Sequence, residues 1–510
     1  SQVMQSVRIT DIIPILHQET EAVLSLIQVE YTEGFPDTYV LPLSYATEDQ
    51  AEEIQESMPQ AVIASVKVDE EAGILFDAIA SENFMSALRQ MIVNRMTYPG
   101  KLGRLVAMTT DAITQEEDTL QGQFETAIEK GNRINTLVVY GGRFVFKLFR
   151  RVEEGINPEL EVRHFLGSRA PLAHIAPVIG GLEYRRHRSD AMTIGVLQPY
   201  ITDATNAWTV TLDILRDYFD RVVVEQANLE EIPLPTEELV NLIEQPVPEL
   251  AALTIGSYLS NAELLGQRTA EMHIALSADY DNPDFSPAPF TSLYQRSIYQ
   301  YSRNLTGQVF FRLKKLLPSL PLRTQTLGHQ LMTRKDFLLA RLRQVLNLKI
   351  TAMRTRCHGN YSLEELLFTG KDYVILDFEG EAYRTLNERR MKRSPLRDVA
   401  GMLLSFDYAT RVALRNEVEN GMIREENLVQ MQQWSQFWSA WVRGAFLKSY
   451  LETAAQDSFL PKSTAELEVL LECYLLENAI QDLGIYLQEP NDMLDISIQL
   501  LIDFSSRLMS

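Results

Sequence analysis

Two charged residues fourteen positions apart have the chemistry of a phosphate-binding pair. Lys147 lies in the second of two apolar, β-branched runs joined by Gly141-Gly142, and Glu161 follows in a segment with helical character. A lysine on a strand beneath a glycine turn can reach nucleotide phosphates, and a helix carboxylate can hold its ammonium group in place. The spacing alone is equally compatible with a solvent-facing lysine beside an unrelated acid.

A second group of candidates lies in HGNYSLEELL (358–367) and VILDFEGE (374–381). Asp377 ends an apolar run that predicts a buried strand, and a carboxylate at the C-terminal end of a strand is well placed to ligate Mg²⁺. The preceding loop carries His358, Asn360 and Glu365, and a second oxygen ligand from it would complete a metal clamp on a triphosphate. The alternative is a strand-flanking acid in an ordinary turn.

A third candidate segment is KRSPLRDVAG (392–401). Asp398 can anchor a catalytic-type loop, and Arg393 and Arg397 make a local basic spot in an acidic protein. The alternative is a plain helix start, with Pro395 near its first position and ordinary surface charges.

Three tryptophans, Trp434, Trp438 and Trp441, share one helical face at spacing i, i+4, i+7. Aromatic faces can stack on sugar rings. A stripe of this kind is more often part of the hydrophobic core, which we take as the prediction.

Length and composition limit the class of protein. The chain has 510 residues and a net charge of −22, with 45% hydrophobic and 23% charged residues. These values predict several domains of a soluble globular protein and argue against binding of nucleic acid or anionic membranes. The two cysteines, Cys357 and Cys473, and the lack of a leader-like or membrane-spanning apolar run predict a cytoplasmic location.

The first 95 residues have a β-rich pattern. Alternation in residues 39–45 predicts a strand, and Pro42 within it indicates an edge position. Ser81 is placed to cap a helix. These features predict a small β-meander closed by a helix.

The pattern changes after about residue 130. The segment 137–149 predicts a tight hairpin with positive φ at its glycines, and Asn157-Pro158 predicts a helix start. A further strand is predicted at 192–200. After about residue 205 the chain is mainly helical, with a short buried strand at 372–380.

These residues occur in the order found in kinase-like phosphotransferases, and the chain resembles the maltokinase family over nearly its whole length. The resemblance rests on five blocks: VEYTEGFPDTYVLPL (29–43), NTLVVYGGRFVFKLFRRVEEGINPELE (135–161), LGQRTAEMHIAL (265–276), HGNYSLEELLFTGKDYVILDFEGE (358–381) and ERRMKRSPLRDVAGML (388–403). It implies an α+β, bilobal protein-kinase-like fold, similar to the aminoglycoside phosphotransferases, with an N-terminal β-rich cap domain. The expected domains are a cap (1–95), an intermediate region with a small nucleotide-binding lobe (96–205) and a helical lobe (206–510).

The resemblance also implies a reaction, maltose plus ATP giving maltose 1-phosphate and ADP, and a site for ATP and Mg²⁺. Lys147 would contact the phosphates and Glu161 would orient it. Leu197, Gln198 and Tyr200 would line the adenine hinge. The expected partners are maltose or a related sugar and trehalose synthase, either fused or separate. The resemblance also makes Asp377 a ligand of Mg²⁺.

The family's loop reads His-Gly-Asp-Tyr-His-Leu-Gly-Gln, and this chain departs from it at four of eight positions. Asn360 replaces the Asp that accepts the substrate proton, Ser362 replaces the His, Glu364 the Gly, and Glu365 the magnesium-binding Gln. The expected catalytic residues are therefore Asn360, His358 and Asp398, and the expected metal ligands are Glu365 and Asp377.

An amide oxygen can orient a hydroxyl group but cannot take its proton. Loss of the base is expected to slow turnover about 10²–10⁴-fold without abolishing it. Three hypotheses remain open: a slow sugar kinase, an inactive pseudokinase that regulates or assembles with trehalose synthase, and a kinase with a changed acceptor sugar.

Overall fold

The structure is a computed structural model that describes residues 3–17, 20–68, 71–129, 135–169, 172–225, 232–455 and 457–508. The chain divides into two compact units. The first comprises Ser1–Asp203 and the returning segment Ala382–Arg389, and the second comprises Ala204–Glu381 and Arg390–Ser510.

The strands of the described residues are β1 Met4–His17, β2 Thr20–Tyr31, β3 Asp37–Thr47, β4 Val62–Val68, β5 Glu71–Asp77, β6 Thr97–Pro99, β7 Gly103–Thr109, β8 Thr126–Glu129, β9 Asn135–Tyr140, β10 Phe144–Phe149, β11 Arg151–Val152, β12 Gly180–Arg186, β13 Met192–Pro199, β14 Thr205–Asn206, β15 Ala288–Pro289, β16 Met353–Arg354, β17 Leu366–Phe368 and β18 Tyr373–Ile375. The α-helices are α1 Glu48–Ser57, α2 Glu82–Val93, α3 Glu117–Leu120, α4 Pro158–Arg169, α5 Ala207–Glu225, α6 Leu239–Leu242, α7 Glu249–Ile255, α8 Tyr258–Ser277, α9 Ser292–Leu316, α10 Leu322–Met332, α11 Lys335–Arg343, α12 Leu386–Arg389, α13 Leu396–Glu419, α14 Leu428–Ala454, α15 Thr464–Tyr486 and α16 Met493–Arg507.

The first sheet has the order β1-β2-β3-β5-β4, with β11 also paired to β3. The edge position predicted for the Pro42 strand is wrong, because β3 pairs with β2 along one side and with β11 and β5 along the other. The proline is tolerated because β11 pairs only with residues 38–39 and β5 only from residue 43 onwards. Pro42 therefore lies where the second ladder is interrupted and needs no N–H donor there. The predicted cap of α2 is confirmed, since the Ser81 hydroxyl accepts from the N–H of Phe84.

The second sheet is antiparallel, with seven strands in the order β6-β7-β12-β13-β10-β9-β8. The predicted hairpin is confirmed: β9 and β10 pair in register from Asn135–Phe149 to Tyr140–Phe144. Gly141 and Gly142 have φ of +54° and +62°, which glycine adopts without steric cost. Strand β10 also pairs with β13, so both of its edges are occupied.

Helix α4 begins where Asn157-Pro158 predicts, and the side-chain oxygen of Asn157 accepts from the N–H of Glu159 at 2.9 Å. The returning segment joins this unit through Glu153. The carboxylate of Glu153 accepts from the N–H of Leu386 at 2.9 Å and pairs with Arg389 at 3.0 Å.

A large hydrophobic core extends over both sheets of the first unit, and a smaller cluster packs α1 against β3 and β5. The large core contains Ile13 and Leu24 from the first sheet and Leu105, Val138 and Phe146 from the second, all of them fully buried. The predicted division of residues 1–205 into a cap and a small lobe stays a prediction.

The second unit is mainly helical, as predicted after residue 205. The predicted stretch 249–277 is two helices, because Gly256 has φ of +66° and interrupts the helical backbone between α7 and α8. Helix α14 carries the tryptophan stripe. Trp434 and Trp438 are fully buried and Trp441 is 6% exposed, so the core prediction is confirmed and these rings are not available to stack on a sugar. None of the described helices is both long and apolar enough to cross a lipid bilayer.

Candidate active site

The loop that begins at His358 is held by one buried carboxylate. Asp398, 2% exposed in the first turn of α13, accepts from the backbone N–H of His358 at 2.7 Å and from that of Gly359 at 3.0 Å. The imidazole of His273 on α8 lies 3.1 Å away through Nε2. Three groups from two distant segments therefore converge on Asp398 and fix the start of the loop.

Burial by itself would raise the pKa of Asp398. The hydrogen bond and charge of His273, the charge of His358 and the N–H of Gly359 outweigh burial and hold the pKa below its ordinary value. Asp398 is therefore ionised at neutral pH, where a charged acceptor makes the stronger hydrogen bonds to the loop.

Arg397, the neighbour of this anchor, braces the same loop from a buried position. Its Nη2 pairs with Glu381 at 2.6 Å, its Nε lies 3.5 Å from Glu477, and its Nη1 donates to the carbonyl of Gly359 at 3.1 Å. Since Arg397 is only 4% exposed, it is not an ordinary surface charge, whereas Lys392 and Arg393 in the same segment are partly exposed. The helix start that was predicted with it is confirmed, because α13 begins directly after Pro395.

Asn360 and Glu365 contact each other. The amide Nδ2 of Asn360 donates to Oε1 of Glu365 at 2.8 Å. The exposed Asn360 is thereby oriented with its nitrogen toward the carboxylate. Its Oδ1 is the end of the amide that can accept a hydrogen bond from another molecule.

A short hairpin, β17–β18, places Glu365 and Asp377 at one end. Leu366 pairs with Ile375, and the N–H of Leu376 donates to the carbonyl of Glu365 at 3.0 Å. Asp377 follows with φ of +54°, a left-handed conformation that is uncommon for a residue with a side chain. Strain of this kind is found at functional sites more often than elsewhere.

His358 links the loop to this hairpin. Its Nε2 lies 2.6 Å from the carbonyl oxygen of Leu376, and its ring packs against Tyr361 and Phe378. The ring is 1% exposed. His358 is therefore a structural link that positions the residues on either side of it.

The carboxylates of Glu365 and Asp377 have the donor chemistry for Mg²⁺. Within the part of the chain that the structure describes, no cluster of three or more His, Cys, Asp or Glu side chains is arranged to hold a metal. Mg²⁺ in nucleotide enzymes is commonly bound by one or two carboxylates, with phosphates and water completing the shell. Two carboxylates at the end of one hairpin fit that kind of site.

A polar cavity of about 170 Å³ opens beside Asn360. Its lining includes acids, amides and aromatic rings, among them Trp208, Asn360, Glu364, Glu365, Glu381, Tyr408, Asn478, Gln481, Asp482 and Tyr486. Arg397 is the cation in this lining, and Glu381 and Glu477 already neutralise it. The cavity therefore has aromatic surface and an excess of negative charge.

Asp482 shows this excess most directly. Asp482 lines the cavity and is partly exposed. Burial, followed by the charge of Glu381, raises the pKa of Asp482 to about 7. Asp482 therefore holds its proton to a much higher pH than an ordinary aspartate does.

The first unit holds the predicted phosphate-binding lysine. Lys147 lies on β10, between Leu137 of β9 and Val196 of β13, and is 6% exposed. Its Nζ lies 5.8 Å from the centre of the Phe149 ring. Glu161 is in the first turn of α4 and half-buried. The two residues belong to the same unit.

The predicted hinge residues lie at the end of β13. The side-chain oxygen of Gln198 accepts from Arg163, which also pairs with Glu159 at 2.7 Å. Tyr200 donates its hydroxyl to Glu129 at 2.6 Å. Both hinge side chains are thus engaged within the protein.

The structure groups the predicted residues in two sets. His358, Asn360, Glu365, Asp377 and Asp398 come together in the second unit. The remaining set, in the first unit, is Lys147, Glu161, Gln198 and Tyr200.

Sequence reasoning did not single out His273, Glu381, Asp482 or Trp208. His273 is fully buried on α8, and its place inside the block 265–276 was the available signal. Glu381 follows the DFEG segment directly. Asp482 and Trp208 come from helices far apart in sequence, and their types alone give no signal.

No protein-family model matches the chain. Among solved structures, the chain is similar to a glucosamine kinase in complex with glucosamine, ADP and inorganic phosphate, with 15% identity and a TM-score of 0.62 over 100% of this chain and 95% of that one. A second crystal form of glucosamine kinase gives 15% identity and a TM-score of 0.63 over 99% and 94%.

Likeness at this identity establishes the fold. The chain shares the mixed helix and antiparallel-sheet fold of these glucosamine kinase structures, so the kinase-like fold class expected from the sequence resemblance is confirmed.

Proposed function

We propose that this chain is an ATP-dependent sugar kinase that transfers the γ-phosphoryl group of ATP to a sugar hydroxyl, with maltose the acceptor favoured by the sequence resemblance. The observation that carries the proposal is the loop anchored by Asp398. It presents Asn360 at the rim of a polar, aromatic cavity and beside a hairpin end that carries Glu365 and Asp377.

In the proposed mechanism Asn360 orients the acceptor. Its Nδ2 is bound to Glu365, so its Oδ1 accepts a hydrogen bond from the sugar hydroxyl and directs the hydroxyl oxygen toward phosphorus. The amide cannot take the proton. In a loose phosphoryl-transfer transition state the proton departs late, so it leaves from the phosphorylated sugar to solvent.

The nucleotide is assigned to the first unit. Lys147 would neutralise phosphate charge, Glu161 would hold the ammonium group, and the backbone near Gln198 and Tyr200 would line the adenine. Mg²⁺ bound by Glu365 and Asp377 would neutralise charge on the transferring phosphoryl group.

The charge of the cavity favours one change of acceptor. The lining carries more carboxylates than cations, and an ionised Asp482 would stabilise a protonated amine better than a neutral hydroxyl group. The similar glucosamine kinase was solved with glucosamine. An amino sugar is therefore the alternative acceptor to maltose.

The test is ADP release from ATP and Mg²⁺ with maltose, glucose and glucosamine in turn. Lys147→Ala sets the background, and Lys67→Ala, an exposed lysine on β4, is the matched control. We expect sugar-dependent release in the wild type and the control that exceeds the Lys147→Ala rate. Equal rates in all three proteins with every sugar would contradict the kinase proposal.

A second candidate function is an inactive pseudokinase that regulates or assembles with trehalose synthase. It is favoured by the amide at residue 360. A melting-shift assay with ADP, with and without Mg²⁺, separates the two. If the chain is a kinase, ADP is expected to raise the melting temperature, Mg²⁺ to enlarge that rise, and Asp377→Asn to abolish the enlargement. If the site is degenerate, no metal-dependent rise is expected. The cytoplasmic location and trehalose synthase as partner stay predictions from the sequence.

A further inference from the structure

The first sheet is apolar on both of its faces. One face belongs to the large core, where Ile13, Leu24 and Val40 are buried. Helices α1 and α2, which contact the sheet, pack on this same side. The opposite side, termed the outer face, is made by the alternate residues of the same strands. Its centre contains Val7, Ile9, Ile27, Val29, Leu41 and Leu43.

Strand pairing places the residues of the outer face beside one another. Val7 pairs with Val29, and Ile9 pairs with Ile27. A bulge in β1 between Ile9 and Asp11 keeps Val7 and Ile9 on the outer side, although Asp11 is buried. Val7 and Ile9 are 55% and 52% exposed, and their partners on β2 are partly exposed. Side chains that are opposite each other on neighbouring antiparallel strands touch, so these residues form one continuous apolar surface.

The charged residues of the outer face lie at its margin. An antiparallel sheet with one face toward water normally carries polar residues on that face. On the outer face of the described residues of β1, β2 and β3, the charged side chains are Glu21 and Asp37, close to the strand ends, and Asp37 pairs with Arg151 at 2.7 Å. Tyr39 and Tyr45 add aromatic area between them and the aliphatic centre. A centre without charge inside a polar margin is the composition of a protein interface.

The outer face has the area that a stable interface needs. Three strands of about ten residues and two shorter ones, with about 4.8 Å between strands and 3.3 Å per residue, cover on the order of 600 Å² in projection. The relief of the side chains makes the accessible area larger, and a standard interface takes about 800 Å² from each partner. Monomeric soluble proteins seldom expose a continuous apolar patch of more than a few hundred Å².

We propose that a second copy of this chain covers the outer face, so that two first sheets stack face to face about a two-fold axis. The composition favours an identical partner, because homodimer interfaces are more apolar than interfaces between proteins that also exist apart. The geometry favours it as well. Two copies of one sheet have the same twist, so their strands can run within about 30° of each other while the side chains interdigitate. This association is independent of the proposed phosphotransfer.

The test is sedimentation equilibrium of the full chain between about 0.1 and 100 µM. We expect a dimer with a Kd in the micromolar range or below, because interfaces of this size range from micromolar to picomolar affinity. A wild-type chain that stays monomeric at about 100 µM would overturn the proposal.

Variants locate the contact. The double variant Val7→Glu/Ile9→Glu puts carboxylates where water reaches them in a single chain but where a second sheet would exclude it. We expect its Kd to rise at least about 100-fold, because the two-fold axis brings four like charges into one apolar contact. The control Val429→Glu, at a 70% exposed apolar position of α14, is expected to leave the Kd within about twofold.

Circular dichroism checks that the double variant is folded. If it is not, Leu16→Glu takes its place, since Leu16 is 67% exposed on the same face near the end of β1, and we expect its Kd to rise at least about tenfold. A folded outer-face variant that dimerises as tightly as the wild type would assign the dimer to another surface and refute the proposal.

Discussion

Exchanging the amide and the carboxylate between residues 360 and 365 is expected to raise turnover more than restoring a carboxylate at residue 360 alone. In the wild type, Nδ2 of Asn360 donates to Oε1 of Glu365 at 2.8 Å. Asn360→Asp replaces this hydrogen bond by two carboxylates at the same separation. The double variant Asn360→Asp/Glu365→Gln restores an amide–carboxylate pair with the carboxylate at residue 360.

The size of the effect follows from the contact. Two unit charges 4 Å apart repel by about 4 kcal/mol at an effective dielectric constant of about 20, and water at this exposed pair reduces the repulsion to about 1–2 kcal/mol. The hydrogen bond regained in the double variant adds about 1 kcal/mol. The coupling between the two substitutions is therefore about 2 kcal/mol, or roughly 30-fold.

The assay is a double-mutant cycle of ADP release and of urea unfolding for the wild type, both single variants and the double variant. We expect the double variant to exceed the product of the single effects by roughly 30-fold in turnover, and its turnover to rise by up to about 10²–10⁴-fold over the wild type. Unfolding free energies are expected to show coupling of the same sign. Effects that multiply within about twofold in both assays would refute the reasoning.

Three further perturbations test the site and the hairpin. Asp398→Ala leaves two loop N–H groups and a buried histidine without their acceptor. It is expected to lower the free energy of urea unfolding by about 3–5 kcal/mol. The control Asp213→Ala removes an exposed carboxylate and is expected to lower it by less than about 0.5 kcal/mol. A loss below about 1 kcal/mol would contradict the anchoring role. Asp482 has a folded pKa of about 7 and an unfolded pKa near its ordinary value of 3.8, so the folded state holds the extra proton between these pH values and stability falls as pH rises through them. After a discount for water in the cavity, Asp482→Asn is expected to raise the free energy of urea unfolding by about 1–2 kcal/mol at pH 8 and by almost nothing at pH 4. An equal gain at both pH values would argue against the raised pKa. Gly141→Ala and Gly142→Ala both place a side chain at positive φ, which is expected to destabilise the fold by about 1–2 kcal/mol each. Only the former brings a Cβ within 2.7 Å of the Phe124 ring, so its melting temperature is expected to fall further, and equal losses would exclude that contact as the cause.

Much of the local structure could be predicted from the sequence because its causes are local. The turn at Gly141-Gly142, the start of α4 at Asn157-Pro158 and the cap of α2 at Ser81 depend on backbone conformations and hydrogen bonds within a few residues. The same is true of the start of α13 after Pro395. The sequence also predicted the kinase-like class of fold, because its long blocks occur in a recognisable order.

Other features depend on partners that the chain brings from far away. Pro42 is tolerated in a strand that is paired on both sides, because the two short ladders along one side leave a gap beside it. Arg397 is buried because Glu381 and Glu477, 16 and 80 residues away, supply its counter-charges.

Many of the elements, the fold class and the candidate residues could be predicted along the chain, since propensity, capping and the order of motifs are local in sequence. Folding was needed to show that His273 completes the anchor of Asp398, that Asn360 turns its nitrogen toward Glu365, and that Asp482 lines an acidic cavity. The reason is physical: the direction of a hydrogen bond and the proton affinity of a carboxyl group depend on which atoms lie within a few ångströms.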